Sequence, residues 1–204
     1  MRCLMLCLML ALTGCGEPTI AVHGDSTALA SRSGLAKAYN FAPSWDGYRW
    51  WVILGKDMGR RIFNDGLGGQ SIATMRDKMV ADDAHRSITT IIYDRKNTDE
   101  DPATYVEVLA DGIATLNTNE FLIIPQVPRA GNDPDPEAEL QEMAEIDATV
   151  AEKWPGNTFS QAERTDFINA LAEANTRLDG LHRNERGQAF EAKFIGDWLQ
   201  ARGW

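Results

Sequence analysis

Short apolar runs alternate with amphipathic stretches along the chain from residue 19 onward. Four of the runs are predicted to form strands, one of them short, and a fifth candidate is very short. The predicted strands are Thr19–His23, Arg61–Asn64, Ile88–Tyr93, Phe121–Val127 and Asn157–Phe159. The fourth run is almost unbroken in its apolar character, which is typical of a parallel strand that is covered on both faces.

Helical spacing of apolar residues fills the segments between these strands. Ser71 is placed to cap one helix and Pro102 to begin another. The predicted helices are 44–59 with its preceding loop, 72–84, a helix from 102, 137–153, 161–178 and a final helix that carries Phe190, Phe194 and Trp198. Strand and helix alternate without internal repeats, so residues 19–204 are predicted to form one α/β domain. We expect a three-layer α/β/α sandwich with a central, mostly parallel sheet of about five strands.

The overall charge restricts the class of partner. The 204 residues carry a formal net charge of −10 and show no cluster of Lys and Arg. Nucleic-acid binding needs clustered cations against the phosphates, so no nucleic-acid partner is expected. The same charge weighs against extended anionic substrates, and its ordinary meaning is a well-solvated surface.

The first residues have the pattern of an export signal. Arg2 precedes an apolar run, Cys3–Leu12, which is too short to span a bilayer. The following Leu12-Thr13-Gly14-Cys15 resembles the bacterial lipobox, in which a lipid is attached to the cysteine after cleavage. We therefore predict a signal peptide at 1–14, a tether at 15–18 and a bacterial cell-envelope protein anchored in a membrane through Cys15, periplasmic or surface-exposed. The alternatives are an ordinary secretory leader or an apolar N-terminal helix.

The first predicted strand ends in Gly24-Asp25-Ser26, so Ser26 is expected at the mouth of the sheet, where α/β proteins bind ligands. A serine hydroxyl becomes a good nucleophile only when a base accepts its proton. Asp179 and His182 are spaced so that the carboxylate can reach Nδ1 of the imidazole and leave Nε2 for a hydroxyl, although the same spacing also occurs in capping turns. His23 is expected to pack in the first strand, and His85 to face solvent at a polar helix end.

Four blocks of the chain together resemble the SGNH hydrolase (GDSL esterase/lipase) superfamily. They are Gly24-Asp25-Ser26, Asn64 followed by Gly69, Asn97, and Asp179 with His182. The resemblance covers about residues 19–200 and implies the superfamily's flavodoxin-like fold. It also implies that Ser26 is the nucleophile, with Asp179 and His182 completing the triad. The backbone N–H groups of Ser26 and Gly69 and the side-chain amide of Asn97 would form the oxyanion hole, with Asp25 and Asn64 in supporting positions.

One block departs from the superfamily pattern. Members commonly have Gly-x-Asn-Asp after the third strand, whereas this chain has Arg95-Lys96-Asn97-Thr98. The bulky Arg95 replaces a glycine and alters the local backbone requirement. Asp94, Arg95 or Asp99 then has a local role in the pocket, or the whole stretch is a solvated loop without function.

The resemblance implies a serine esterase that needs no metal and no organic cofactor. The segment from Asn64 to Ser71 is also similar to the rhamnogalacturonan acetylesterase branch, which favours short acyl esters such as O-acetyl groups on a glycan. Trp45, Trp50 and Trp51 would either stack on sugar rings or belong to the core. The alternatives are a lysophospholipase or thioesterase of the same fold, and a catalytically idle surface lipoprotein that binds a glycan or a protein.

Overall fold

A sheet of four parallel strands forms the centre of the molecule. The computed structural model describes residues 19–29, 48–96, 100–128, 136–173, 176–177 and 182–204. Its strands are β1 (Ile20–Gly24), β2 (Ile62–Asn64), β3 (Thr89–Tyr93) and β4 (Phe121–Ile123), in the spatial order β2-β1-β3-β4. All pairings are parallel. This arrangement confirms the predicted α/β sheet and places the carboxyl ends of the strands along one edge.

Helices connect the strands and lie on both sides of the sheet. Within the described residues they are α1 (Ser26–Leu29), α2 (Trp50–Met58), α3 (Ile72–Ala81), α4 (Pro102–Ile113), α5 (Pro136–Lys153), α6 (Gln161–Ala172) and α7 (Glu185–Ala201). The caps follow the expected chemistry. The Ser71 side chain accepts a bond from Thr74 N, and Pro102 follows Asp101, the N-cap of α4. In the described part of the chain, every helix is too short or too polar to span a bilayer.

Two hydrophobic clusters, one on each face, hold the three layers together. Ile91 and Tyr93 of β3 belong to the first cluster, whereas Ile92 between them belongs to the second, as strand alternation requires. The first cluster packs the sheet against α2, α6 and α7, and the second packs it against α3, α4 and α5. The predicted three-layer sandwich is therefore confirmed.

The number of paired strands is smaller than the predicted five. The fifth candidate forms only one parallel bridge, between Thr158 and Ile123. β4 is also shorter than predicted. Ile124 still donates its backbone N–H to Ile92 O at 2.9 Å, but the next N–H on this side, that of Gln126, donates to Asp147 Oδ1 at 3.0 Å and not to β3. The helices predicted for 72–84 and 161–178 likewise end earlier, at Ala81 and Ala172.

Candidate active site

The turn after β1 is too crowded for any residue except glycine. Gly24 has a φ of +152°, and an added Cβ would lie 1.9 Å from Tyr93 O on the neighbouring strand. Asp25 is fully buried, and its Oδ1 accepts bonds from the backbone N–H of Thr27 at 2.8 Å and from its hydroxyl at 2.5 Å. These bonds fix the start of α1, whose first residue is Ser26. The strand thus delivers the Ser26 hydroxyl to the carboxyl edge of the sheet.

His182 lies within hydrogen-bonding distance of Ser26. Its Nε2 is 3.2 Å from Ser26 Oγ, although the two residues are 156 positions apart in the chain. The side chain is partly buried and comes just before α7. A hydroxyl next to an imidazole nitrogen is the arrangement in which the base can accept the proton of the nucleophile.

The loop after β2 follows the end of β1 towards Ser26. Asp65 N donates to Val22 O at 3.1 Å, and Leu67 N donates to Gly24 O at 3.0 Å. At Gly68, an added Cβ would be 3.6 Å from Ser26 Cβ, so this loop lies beside Ser26. Gly69 has a φ of +72° and open space around its Cα, which suits a backbone N–H that faces a substrate atom.

The Asn64 side chain forms hydrogen bonds with α1 and with the loop after β2. Its Nδ2 donates to Ala28 O at 2.9 Å, and its Oδ1 accepts from Gly66 N at the same distance. The side chain therefore joins α1, which begins at Ser26, to the loop at 65–69, the glycine loop. Gln70 was not singled out in the sequence, yet it is buried and its side-chain amide donates to Gly24 O. A buried glutamine next to a glycine loop leaves no distinctive pattern in the sequence.

His23 and Asp65 form a second buried contact at this edge. His23 packs inside β1 as expected, and its Nδ1 is 2.9 Å from Asp65 Oδ1. The backbone carbonyl of Asp65 accepts a bond from Lys78 of α3. His85 does not face solvent as predicted. It stacks on Phe63, with ring centroids 4.0 Å apart, and its Nδ1 lies 2.7 Å from Asp82.

The residues after β3 are buried rather than solvated, so the interpretation of this stretch as a solvated loop is wrong for Asp94 and Arg95. The Arg95 side chain is only 5% exposed and forms an ion pair with Glu139 of α5. Lys96 pairs with Glu142 of the same helix at 2.5 Å. Burial, and after it the charge of Asp25, raises the pKa of Asp94 well above the usual value of a carboxyl group.

Gln126 fastens this segment to the end of β4. Its Nε2 donates to Asp94 O at 2.9 Å, and its Oε1 accepts from Lys96 N at 3.0 Å. Tyr105 of α4 lies 3.3 Å from Asp94 Oδ2 through its hydroxyl. Arg95, which stands where the superfamily pattern has glycine, is therefore part of the protein interior.

Several predicted site residues lie outside the described residues. These are Asp179, Asn97, Asp99, Cys15 and Trp45. Trp50 is fully buried in the core, and Trp51 packs against the same cluster, so the core interpretation holds for this pair. Within the described ranges, no group of three or more His, Cys, Asp or Glu side chains is arranged to hold a metal ion.

Comparisons with known proteins give a match at the level of structure. Neither a protein-family model nor a curated protein sequence matches the chain. A lipase/acylhydrolase from Enterococcus faecalis superposes with a TM-score of 0.71 at 14% identity, covering 91% of this chain and 97% of its own. A lipolytic protein of the G-D-S-L family from Veillonella parvula gives 0.60 at 18% identity, with 87% and 96% covered.

A third similar structure is the psychrotrophic esterase EstA from Pseudoalteromonas, solved with monoethylphosphonate as inhibitor. It gives a TM-score of 0.62 at 12% identity and covers 91% of this chain and 98% of its own. All three matches span nearly the whole of both chains, so the likeness concerns the complete domain. The protein therefore has the fold of the SGNH (G-D-S-L) hydrolase superfamily.

Proposed function

We propose that this protein is a serine ester hydrolase in which Ser26 is the nucleophile and His182 the general base. The observation that carries the proposal is the 3.2 Å distance between Ser26 Oγ and His182 Nε2. Two distant segments of the chain meet here at the carboxyl edge of a parallel sheet, which is where α/β folds bind ligands. Lipolytic proteins and esterases among the similar structures support the same class of reaction.

The reaction follows from the positions of the two side chains. His182 Nε2 accepts the hydroxyl proton while Ser26 Oγ attacks the ester carbonyl carbon. The tetrahedral intermediate collapses, the alcohol leaves with the proton from His182, and the acyl group remains on Ser26. Water, deprotonated by His182, then attacks the carbonyl carbon of this acyl-enzyme. The bond to Ser26 Oγ breaks, the carboxylic acid leaves, and His182 returns the proton to Ser26 Oγ. In the proposal, Asp179 orients the imidazole and stabilises its protonated form.

The glycine loop is proposed to stabilise the negative oxygen of the intermediate. The donors would be the backbone N–H groups of Ser26 and Gly69 and the side-chain amide of Asn97. The proximity of Gly68 to Ser26 and the left-handed backbone of Gly69 support this role for the loop. A preorganised donor of this kind contributes about 3 kcal/mol to the stability of the transition state.

The proposed substrates are short acyl esters, including O-acetyl groups on a glycan. The similarity of the Asn64–Ser71 segment to an acetylesterase branch supports this choice. A lysophospholipase or thioesterase is the alternative, and hydrolysis of a series of p-nitrophenyl esters from acetate to palmitate separates the two. A rate that falls with chain length, together with release of acetate from an acetylated polysaccharide, supports the first choice. A rate that rises with chain length contradicts it.

We further propose that the protein is held in the bacterial cell envelope by a lipid on Cys15. The lipobox-like Leu12–Cys15 segment supports this location. In cells that express the full chain, wild-type protein should sediment with membranes, and Cys15→Ser should move it to the soluble fraction. Equal membrane association of both proteins would contradict a lipid anchor.

The catalytic proposal is tested by replacing the nucleophile and the base. Ser26→Ala and His182→Ala should each lower the turnover of p-nitrophenyl acetate by at least about 10³-fold while the protein stays folded. His85→Gln is the matched control, because His85 pairs with Asp82 and comes just before β3, at the amino ends of the strands and opposite the edge that carries Ser26. Undiminished turnover in either active-site variant would refute the mechanism. A folded wild-type protein that is not labelled at Ser26 by a fluorophosphonate probe would instead support the alternative of a catalytically idle binding protein.

A further inference from the structure

Three buried side chains connect the end of β3 to the residue after His182. The Tyr93 hydroxyl donates to Glu191 Oε1 at 2.6 Å, and Arg183 Nε donates to the same oxygen at 3.3 Å. None of the three residues is more than 3% exposed. The proposed reaction does not use any of them directly, so their presence in the interior needs another explanation.

Each end of this network lies next to one of the two reactive groups. Tyr93 is paired in register with Gly24, two residues before Ser26. The other end, Arg183, directly follows His182 in the chain. Glu191 on α7 therefore accepts hydrogen bonds from the side that carries the nucleophile and from the side that carries the base.

The first turn of α7 holds the segment after His182 closely. Asn184 caps the helix by accepting from Gly187 N at 3.1 Å, and its own backbone N–H donates to Thr176 O at 2.9 Å. A Cβ on Gly187 would lie 2.3 Å from Thr176 O and 3.0 Å from Arg183 Cβ. The backbone at 183–184 is thus fixed by the helix cap and, through Arg183, by Glu191.

Stability alone is a weak reason to bury these groups. Burial raises the pKa of Glu191, which Arg183 and Tyr93 oppose, and burial followed by the charge of Glu191 raises the pKa of Tyr93 well above its usual value. Well-packed apolar side chains in place of a buried ion pair are often neutral or stabilising. Because the network lies between the strand before Ser26 and the segment after His182, it is better explained by the relative position in which it holds these two segments.

We infer that Tyr93, Glu191 and Arg183 are positioning residues that hold the imidazole of His182 against Ser26. This inference rests on the proposed function. The network acts by fixing the backbone that carries the base relative to the strand that precedes the nucleophile. Because a misplacement of about 1 Å can cost about 10²-fold in rate, a small shift of His182 would be visible in kcat.

The inference is tested with a graded pair of variants at Glu191. Glu191→Leu removes the shared acceptor, whereas Glu191→Gln keeps a neutral oxygen for both donors. We expect kcat for p-nitrophenyl acetate to decrease in the order wild type, Gln, Leu, with a loss of about 10- to 100-fold for Leu and KM within about twofold of wild type. Asp147→Asn is the matched control, since it changes another buried carboxylate that pairs with Arg164, and it should keep the wild-type kcat.

A second measurement reads the position of the base without turnover. The chain has three histidines, so the His182 ring signal can be assigned in an NMR spectrum by its loss in His182→Ala. Glu191→Leu should shift the signal of His182 and leave that of His85 unchanged. In the His182→Ala background, Glu191→Leu should cause no further loss of the residual rate, since the group that it positions is absent.

The possible outcomes separate the two proposals. If the wild type shows no hydrolysis that depends on Ser26, the proposed function fails, and the His182 signal alone decides the inference. A folded Glu191→Leu protein with unchanged kcat and an unchanged His182 signal overturns the inference, as does an equal loss of kcat in Asp147→Asn. If Glu191→Leu does not fold, Tyr93→Phe takes its place, since it removes one hydrogen bond of the network. An unchanged kcat and an unchanged His182 signal in Tyr93→Phe would then overturn the inference.

Discussion

Replacement of Gly24 by alanine tests how the sheet positions Ser26, the proposed nucleophile. The φ of +152° is a conformation that only glycine adopts readily, and strain of this kind costs about 1–3 kcal/mol. The added Cβ would lie 1.9 Å from Tyr93 O and 2.7 Å from Ala28 Cβ. Because the first of these atoms is backbone of the paired strand, it cannot move without disturbing the β1–β3 ladder. Forced overpacking adds about 1–3 kcal/mol, so we expect a total loss of about 4 kcal/mol in the free energy of unfolding.

Gly59 provides the matched control for backbone strain without crowding. It ends α2 with a φ of +64°, and an added Cβ would meet nothing within 4 Å. Gly59→Ala should therefore cost about 1 kcal/mol, the cost of a left-handed residue with a side chain. The difference between the two variants, about 3 kcal/mol, combines the close approach of β1 and β3 with the greater backbone strain at a φ of +152°.

Urea unfolding followed by circular dichroism, with Tm as a second readout, measures both losses. For a domain of this size we expect Tm to fall by about 12 °C for Gly24→Ala and by about 3 °C for Gly59→Ala. Well below Tm, Gly24→Ala should also lower kcat, because the Gly24 carbonyl accepts bonds from the glycine loop and the residue lies two positions before Ser26. Equal losses of stability in the two variants would refute the steric argument.

Three further predictions concern charge and loop geometry. Burial raises the pKa of Asp147 to about 6. The folded carboxyl therefore keeps its proton to higher pH than the unfolded one, so the free energy of unfolding should fall by about 2–3 kcal/mol between pH 4 and 6. Asp147→Asn should remove this part of the pH dependence, measured by urea titrations at several pH values. An unchanged pH dependence would contradict the assignment of the effect to Asp147. Arg95→Ala removes the partner of Glu139 in a largely buried site and should lower the free energy of unfolding by about 3 kcal/mol. Lys193→Ala breaks an exposed pair and should lower it by less than about 0.5 kcal/mol. Similar losses for the two variants in urea unfolding would argue against a structural role for the buried pair. Asn64→Ala removes the hydrogen bonds that join α1 to the glycine loop, so kcat for p-nitrophenyl acetate should fall about tenfold. An unaltered kcat would show that the loop keeps its position without Asn64.

The parts of the fold with strong local signals could be predicted from the sequence. Apolar runs gave the parallel strands, and the side chains of Ser71 and Asp101 cap helices as their residue types favour. The length of β4 could not be read from apolar character alone, because the Gln126 N–H, which would continue the ladder, bonds to Asp147 of α5. The fifth strand shrinks to one bridge at Thr158, since only three residues are available there.

The candidate site also has residues that the sequence predicts and residues that it does not. Ser26 and His182 were found because their residue types and order resemble a known pattern, and the structure brings them to 3.2 Å. Arg95 was open to interpretation as a solvated residue because its partner, Glu139, is contributed by a distant helix. Glu191 has no distinctive signal in the sequence, since its two hydrogen-bond donors come from β3 and from the segment before the helix. Contacts of this kind arise only once the tertiary structure has formed.

The most direct test of the central claim is covalent labelling by a fluorophosphonate probe, read by mass spectrometry of the peptide that contains Ser26. A phosphonate inhibits the structurally similar Pseudoalteromonas esterase, which makes this chemistry a suitable choice. The wild-type protein should acquire one phosphonyl group on Ser26, Ser26→Ala should acquire none there, and His182→Ala should react at least about 10²-fold more slowly. A folded wild-type protein that stays unlabelled at Ser26, or a His182→Ala variant that reacts as fast as wild type, would contradict a nucleophile activated by this histidine.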